Sequence, residues 1–336
     1  MTDYKGIKGW KIRTIAGNPA NPKAGEVWFN SSTNTFKTHG VLSAATKAWG
    51  SGGNLTTGRN GNKGCSNGSH LDANTFGGSA GVNTEEYNGT SWGSGGNLNT
   101  SMTQNTGSGG ASDTRACAGD SSGNSNVCET YNGSTWTTSV ACLTARGAPF
   151  ADGTQNSITL SGGSGAQTST EEWDGTSWTA AQVMNTGKTH GACCGTDRNS
   201  FMVVSGVEPG PSYNTTTCQK YDGTSWVTTN PTIKSTDNYY GKACGTTADA
   251  IHFGNEENLV AGGYASNTTE EWDGTSWATN SATLSASGGT SNGGASGDAG
   301  NGLSIGGYSG IDTAQQTTEE YTRTPAAAST KTITTS

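Results

Sequence analysis

The chain has 336 residues and carries 18 Lys and Arg against 26 Asp and Glu, a net charge of −8. With that balance and no basic stripe, a nucleic-acid partner is not expected. Only 30% of residues are hydrophobic and 53 are glycine, a composition that alone would read as low complexity; an in-step repeat argues against that, and no apolar run approaches the ~20 residues of a membrane span.

The first forty residues stand apart from the rest. GNPANPKAGE (17–26) holds two of the seven prolines and should be extended. VWFNSSTNTFKTHG (27–40) reads as a small hairpin around Ser31–Asn34. MTDYKGIKGWKIRT lacks an apolar stretch, so no secretory leader is expected. The segment GWKIRTIAGNPANPKAGEVWFNSSTNTFK, Gly9 to Lys37, resembles the N-terminal segment of virion structural proteins in marine tailed phages, notably tail-fibre-like and other appendage proteins. The phrase GEVWFNSSTNTFK carries most of that likeness. The resemblance implies that residues 1–40 are an anchor docking the protein on other virion proteins. Trp10, Trp28 and Phe29 are then natural docking knobs. The competing reading is a strand that caps or completes the array beginning near Trp49.

From Trp49 onward one phrase recurs. It reads EEYNGTSW at 85–92, ETYNGSTW at 129–136, EEWDGTSW at 171–178, QKYDGTSW at 219–226 and EEWDGTSW at 270–277, with a half-copy EEY at 319–321. The anchors Tyr87, Tyr131, Trp173, Tyr221, Trp272 and Tyr321 are 44, 42, 48, 51 and 49 residues apart. A period in the forties is the mark of a blade-by-blade β array. Asn-Gly and Asp-Gly favour a two-residue type I′ hairpin. On that reading Tyr87 pairs with Thr90 and Glu85 with Trp92, which sets Tyr87 and Trp92 diagonally on one face. A short apolar run closing on glycine precedes each hairpin: TFGG at 75–78, SITLSGG at 157–163, FMVVSG at 201–206, NLVAGGY at 258–264 and GLSIGGY at 302–308, with only RACAG at 115–119 in the second copy. Upstream lie small-residue stretches such as THGACCG (189–195) and YYGKACG (239–245), suited to strands crowded near an axis.

Four antiparallel strands per unit describe one propeller blade. Over 49–321 the pattern resembles the kelch repeat of β-propellers: a strand ending in Gly-Gly, then Tyr-Asp, then Trp. It departs from kelch in a shorter Tyr-to-Trp interval and in Ala118-Gly119 and Ser205-Gly206 standing for Gly-Gly. The expected fold is all-β: a six-bladed kelch-like propeller over 41–336, with seven blades, one partly built from 26–48, as the alternative. Expected blade core is Trp49, Trp92, Trp136, Trp178, Trp226 and Trp277 with the six anchors. The sixth set lacks a Trp strand after Tyr321. Either ATKAWG (45–50) or the C-terminal TKTITTS (330–336) could supply it and so remove an open edge.

Twelve of the 26 acidic residues belong to the repeat phrase, among them Glu85, Glu86, Glu171, Glu172, Asp174 and Asp222. They read as a solvated outer rim that blocks edge pairing, with a cation-binding rim as the alternative. Cys65, Cys117, Cys128, Cys142, Cys193, Cys194, Cys218 and Cys244 fit no zinc spacing and read as reduced thiols from assembly in a cytosol. Cys117 and Cys128 lie on adjacent predicted strands and could pair.

Three chemistries find weak support. Asp174-Gly175-Thr176-Ser177-Trp178 is a partial sialidase Asp-box, but the six arginines fall at places that look non-equivalent. Copper-radical chemistry needs two His and two Tyr near a Cys, and only His39, His70, His190 and His252 exist. Glycoside hydrolysis needs a defined carboxylate pair, and none is singled out. No enzyme activity, cofactor or metal is therefore expected. Binding is the expected role, through variable loops on a rigid frame. The least regular are GVEPGPSYNTTT (206–217) and TTADAIHFGNEEN (246–258). Candidate ligand contacts are Arg59, Arg146, His190, Tyr213, Tyr239 and Tyr240. Together these readings predict a bacteriophage virion structural protein, exposed on a tail fibre, appendage or capsid. It would bind a host-surface glycan or protein, or decorate the particle, without membrane insertion, as a monomer or homo-oligomer. The alternatives are a cellular kelch-type interaction module and, further off, a carbohydrate-active propeller enzyme.

Overall fold

The computed structural model describes residues 12–23, 25–41, 45–120, 123–165, 167–209, 214–229, 239–257, 264–285, 292–309, 313–324 and 328–332. The chain divides into two compact units. One joins its two ends, Met1–Thr46 with Arg323–Ser336; the other is Lys47–Thr322. Among the described residues, strands dominate, Gly78–Ala80 forms a 3-10 turn, and no helix is long and apolar enough to cross a membrane.

The terminal unit is one four-stranded sheet in the order Arg13–Ile15, Val27–Asn30, Thr35–Val41, Ala328–Thr332. Val27–Asn30 and Thr35–Val41 form a hairpin in which Asn30 faces Thr35, so the turn is Ser31–Asn34. Asn30 explains the geometry. Its side-chain Oδ1 accepts the backbone N–H of Ser32 and Thr33 inside the turn and that of Gly17 across from it. That bond ties the proline-bearing crossover to the hairpin, and Arg13–Ile15 runs parallel to Trp28–Asn30. Trp28 is fully buried, so the expected docking knob is instead core. Phe29 is half-buried and meets Phe36 edge-on at 5.1 Å. Trp10 lies outside the described residues.

The larger unit contains, among its described residues, six four-stranded antiparallel sheets. The first runs Asn62–Gly64, Ala73–Gly77, Thr84–Tyr87, Trp92–Ser94. The other five open with innermost strands Thr106–Ser108, Phe150–Thr154, Ala192–Asp197, Lys242–Gly245 and Gly294–Gly297. The sixth sheet takes its outermost strand from Thr46–Ser51, the N-terminal one of the two candidates. The C-terminal strand Ala328–Thr332 pairs instead with Thr35–Val41. The boundary expected after residue 40 therefore falls at Thr46, and the last residues belong with the first.

The apolar residues collect between sheets. Phe76 of the first sheet packs with Tyr131 and Trp136 of the second. Cys117 and Cys128 pack with Trp173 and Trp178, Phe150 with Tyr221 and Trp226, and Met202 and Val204 with Trp272 and Trp277. Ile251 and Phe253 then pack with Tyr321 and Trp49, and Leu303 and Ile305 of the sixth sheet with Tyr87 and Trp92 of the first. The contacts return to where they began.

The hairpin of the repeat phrase differs from the type I′ reading. Tyr87 lies directly opposite Trp92 and Glu85 opposite Ser94, so the loop has four residues, Asn88–Ser91. The same register holds for Tyr131 and Trp136, Trp173 and Trp178, Tyr221 and Trp226, and Trp272 and Trp277. The cause is the side chain at the first loop position. Asp174 Oδ1 accepts the N–H groups of Thr176 and Ser177, each at 2.8 Å, and Asn88, Asn132, Asp222 and Asp273 do the same. This turn asks for a left-handed backbone only at the glycine, for example Gly175 at φ +95°. The aromatic pair is consequently opposed rather than diagonal, with ring centroids 4.9–5.5 Å apart.

Candidate functional site

The rim of the larger unit is occupied by its own interactions. The first Glu of the phrase is buried: Glu85, Glu129, Glu171, Glu270 and Glu319 are each 0–2% exposed, and most bind the backbone of the segment leading into their own sheet. Glu85 accepts from Thr56 N and Thr57 N, Glu129 from Asn99 N and Thr100 N, Glu171 from Leu143 N and Thr144 N, and Glu319 from Ser285 N. The second Glu reaches the next sheet. Tyr131 Oη donates to Glu86 at 2.6 Å, Tyr221 to Glu172 at 2.6 Å, Tyr321 to Glu271 at 2.8 Å, and Tyr87 to Glu320 at 2.5 Å. Where the anchor is Trp it has no hydroxyl to give, and the facing residue is no longer Glu: Thr130 stands before Trp173, and Lys220 before Trp272, its Nζ 5.4 Å from the ring centroid. The expected solvated rim is thus corrected. Of the twelve carboxylates, Asp174, Asp222 and Asp273 are exposed, and those hold turns.

Trp49 belongs to the same series. Its Nε1 donates to Thr269 Oγ1 at 2.8 Å, as Trp92 does to Thr318, Trp136 to Thr84 and Trp226 to Thr170. At the equivalent positions before Trp178 and Trp277 the threonine is replaced by Cys128 and Cys218. Trp178 turns to Val140 O instead. All eight cysteines are free thiols, Cys117 and Cys128 included, although these two face each other across strands.

Arg59 and Arg146 prove equivalent to each other, contrary to the reading of scattered arginines. Each is fully buried and each pairs with the first Glu of its sheet, Arg59 with Glu85 at 2.6 Å and Arg146 with Glu171 at 2.5 Å. Each also donates to backbone carbonyls, Asn83 O for Arg59 and Gly162 O for Arg146. A buried guanidinium already engaged in this way cannot meet a ligand, so both leave the candidate set. In the fourth sheet the phrase has Gln219 for Glu, and the corresponding Lys188 pairs with Glu208 at 2.7 Å. In the second, Met102 fills the slot and Glu129 keeps only N–H partners.

Three other candidates converge near the axis. Just before each innermost strand stands one residue with left-handed backbone: Gly61, Gln104, Ala148, His190, Tyr240 and Asn292, with φ between +45° and +62°. Their backbones bond in sequence. Gln104 N donates to Gly61 O, Ala148 N to Gln104 O, Tyr240 N to His190 O, Asn292 N to Tyr240 O, and Gly61 N to Asn292 O. At the remaining step Thr189 Oγ1 donates to Ala148 O. A left-handed Ala, Gln or Tyr is strained, and such strain persists only where the surroundings fix it.

The side chains of this ring meet over the axis. Gln104 Nε2 donates to Tyr240 Oη at 3.2 Å, and Gln104 Oε1 lies 3.3 Å from His190 Nε2. The His190 ring stacks on Tyr239 at 5.2 Å and meets Tyr240 edge-on at 5.1 Å. Burial, then repulsion from Lys63, holds the imidazole pKa down to about 4, so it is neutral at physiological pH. Tyr213 lies outside the described residues.

Behind these side chains is a cavity of about 40 Å³. Its polar lining is Lys63, Ser66, Thr106, Asp152, Cys193 and Lys242, and the rest is glycine and alanine. Burial raises the Asp152 carboxyl to about 7, against hydrogen bonds from Ser66 and from the N–H groups of Gly153 and Gly195. Burial lowers Lys242 to about 7, partly countered by Glu319, and its Nζ donates to Ser304 Oγ at 2.6 Å. Burial also pushes the Cys193 thiol up to about 12, so it carries negligible thiolate at neutral pH. Among the described residues no three His, Cys, Asp or Glu side chains gather as a metal site. The arrangement offers hydrogen bonds, aromatic faces and a buried cation rather than an activated nucleophile.

Lys63, Gln104, Asp152, Lys242 and Asn292 are not among the sequence-based candidates. A signal for some of them exists: His190-Gly191, Tyr240-Gly241 and Asn292-Gly293 are one motif in register, each a residue before the glycine that opens an innermost strand.

No family model matches the chain, and no curated protein matches it. Solved structures do. The structure of YjhT, a kelch-type β-propeller protein, matches over 81% of this chain and 99% of its own at a TM-score of 0.65 and 14% identity. At that identity the likeness concerns the fold, and the chain has a β-propeller fold.

Proposed function

We propose that this is a non-enzymatic virion protein of a tailed phage: a six-bladed kelch-like propeller carried by a small attachment unit made from both chain ends. The propeller contacts a host-surface glycan or protein, or decorates the particle. One observation carries the reading. Thr46–Ser51 fills the outermost place of the sixth sheet, so the sheet of residues 13–41 and 328–332 is not needed to close the ring. It is left for another task, and the phage-like phrase GEVWFNSSTNTFK lies within it. The axial face, with His190, Tyr239 and Tyr240 beside Gln104, has the mixed aromatic and polar character that suits a polar ligand. Its thiols and tyrosines are pushed up by burial, which favours recognition over nucleophilic chemistry.

The test is paired sedimentation. The full chain and a chain cut to residues 47–322 are each incubated with phage particles and, separately, with host cells. Circular dichroism first checks that the cut chain retains the β spectrum. Loss of particle binding on trimming, with cell binding retained, is the expected result for an anchored adhesin. Loss of particle binding with no cell binding by either chain reduces the role to decoration. Equal particle binding by both chains would sink the anchor.

A further inference from the structure

We infer that the axial cavity is a binding site for a small monatomic anion, chloride, held at Lys63. The buried cations elsewhere in the larger unit are engaged. Arg59 and Arg146 have Glu85 and Glu171, Lys188 has Glu208, and Lys242 donates to Ser304 Oγ. Lys63 Nζ has no hydrogen-bond or ion-pair partner among the described residues. Yet Lys63 lines both the cavity of about 40 Å³ and a smaller one, of about 10 Å³, beneath Gln104, His190 and Tyr240. Lys63 is half-buried; an ammonium drawn partly out of water without a counter-charge is costly, and a small anion relieves that cost.

Three further features select the ion. The first is size: a cavity needs roughly 10–15 Å³ to hold one water, so this one takes an ion with a water or two and excludes a sugar ring. The second is backbone. Each innermost strand is the edge of its sheet, and edge strands present unpaired N–H groups. Here Gly64, Gly107, Gly241 and Gly293 of these strands or just before them line the cavity, so much of its wall is main chain. The third is charge. Two lysines line the cavity against one carboxyl, and that carboxyl is already engaged, Asp152 Oδ1 accepting from Gly153 N at 2.6 Å. The neighbouring Cys193 and His190 bring no negative charge.

The experiment uses the full chain and two probes. Chloride-35 line width is followed as sodium chloride replaces sodium gluconate at constant ionic strength, and thermal unfolding is measured in the same buffers. The expected result is saturable excess broadening and a Tm rise of ~2 °C or more in chloride. Both effects vanish in Lys63→Met and persist in Lys23→Met, a surface control in the terminal unit. Equal broadening by Lys63→Met and the wild-type chain would overturn the inference, as would its absence from the wild type. Should Lys63→Met fail to fold, the wild-type titration decides by itself. Saturable broadening displaced by bromide supports the site, and broadening that only grows linearly refutes it.

Discussion

The rim and the axis of the larger unit solve the problem of burying charge in opposite ways. On the rim most carboxylates have a partner placed by the repeat: the buried Glu85 and Glu171 have arginines, and the half-buried Glu86 and Glu172 have the tyrosines of the next sheet. In two places both partners have changed, Lys220 before Trp272 and Gln219 beside Lys188, whereas beside Met102 Glu129 is kept and bonds only N–H groups. On the axis the groups repeat less: of six equivalent positions two hold Lys63 and Lys242, and the others hold Thr106, Phe150, Ala192 and Gly294. Lys63, Asp152 and Lys242 sit in one small cavity with their charge states displaced by burial. The rim is what six copies share, and the axis is where they differ. In a repeat fold the departures from the repeat are the place to look for function.

The contrast can be broken at several strengths. Arg146→Met strands the buried Glu171 and is expected to cost about 3–5 kcal/mol in urea unfolding, with Arg146→Met/Glu171→Gln recovering much of it. A single mutant that unfolds at the wild-type midpoint would contradict the matched-partner account. Trp178→Ala is expected to lose ~3–5 kcal/mol by opening a cavity between two sheets, and a change near zero would remove that Trp from the core. The axis should respond to protons instead. The Asp152 pKa is about 7 in the fold, against an ordinary value of 3.8. The unfolded chain therefore gives up this proton first, and stability falls as pH rises from about 4 to 7, by on the order of 4 kcal/mol. The difference between wild type and Asp152→Asn across that window isolates the effect; a constant difference would deny it. Tyr221→Phe removes a charge-assisted bond to Glu172 and should cost ~1.5–3 kcal/mol. Tyr240→Phe, whose hydroxyl meets the neutral Gln104, should cost ~0.5–1 kcal/mol. If the last two cost the same, rim and axis are less distinct than their partners suggest.

Much of the frame is legible in the chain because it depends on short-range pattern. The anchors, the Trp strands and most of the buried runs before glycine recur at a fixed period and become the sheets; in the fifth sheet the buried strand is Ala250–Phe253, inside the stretch 246–258 read as a variable loop, and not the expected NLVAGGY (258–264), of which 258–263 lie outside the described residues. Three further expectations fail for identifiable reasons. The hairpin differs because Asn-Gly and Asp-Gly have two ways to turn, and here the Asn or Asp side chain caps the loop itself. The arginines look scattered in sequence because Met102 and Lys188 interrupt their slot, and because loops of unequal length hide the register. The carboxylates look solvated because an alternating strand does not reveal which face another sheet will cover. The axial site is half visible. His190, Tyr239 and Tyr240 stand out in sequence, but Lys63 and Asp152 lie on different sheets, and nothing local says that small-residue strands bring them together.

The placement of Thr46–Ser51 in the last sheet has a consequence for synthesis. Gly52 N meets Thr318 O, 266 residues later. Within the larger unit the ribosome releases the strand of Trp49 first and its partner strand last, about 13–53 s later at the usual 5–20 residues per second. Until then the array of sheets is open on two sides, each presenting aromatic surface and free strand edge. Such a nascent chain depends on a chaperone or on dilution more than the finished ring does, and a ribosome that stops short of Tyr321 leaves both sides exposed.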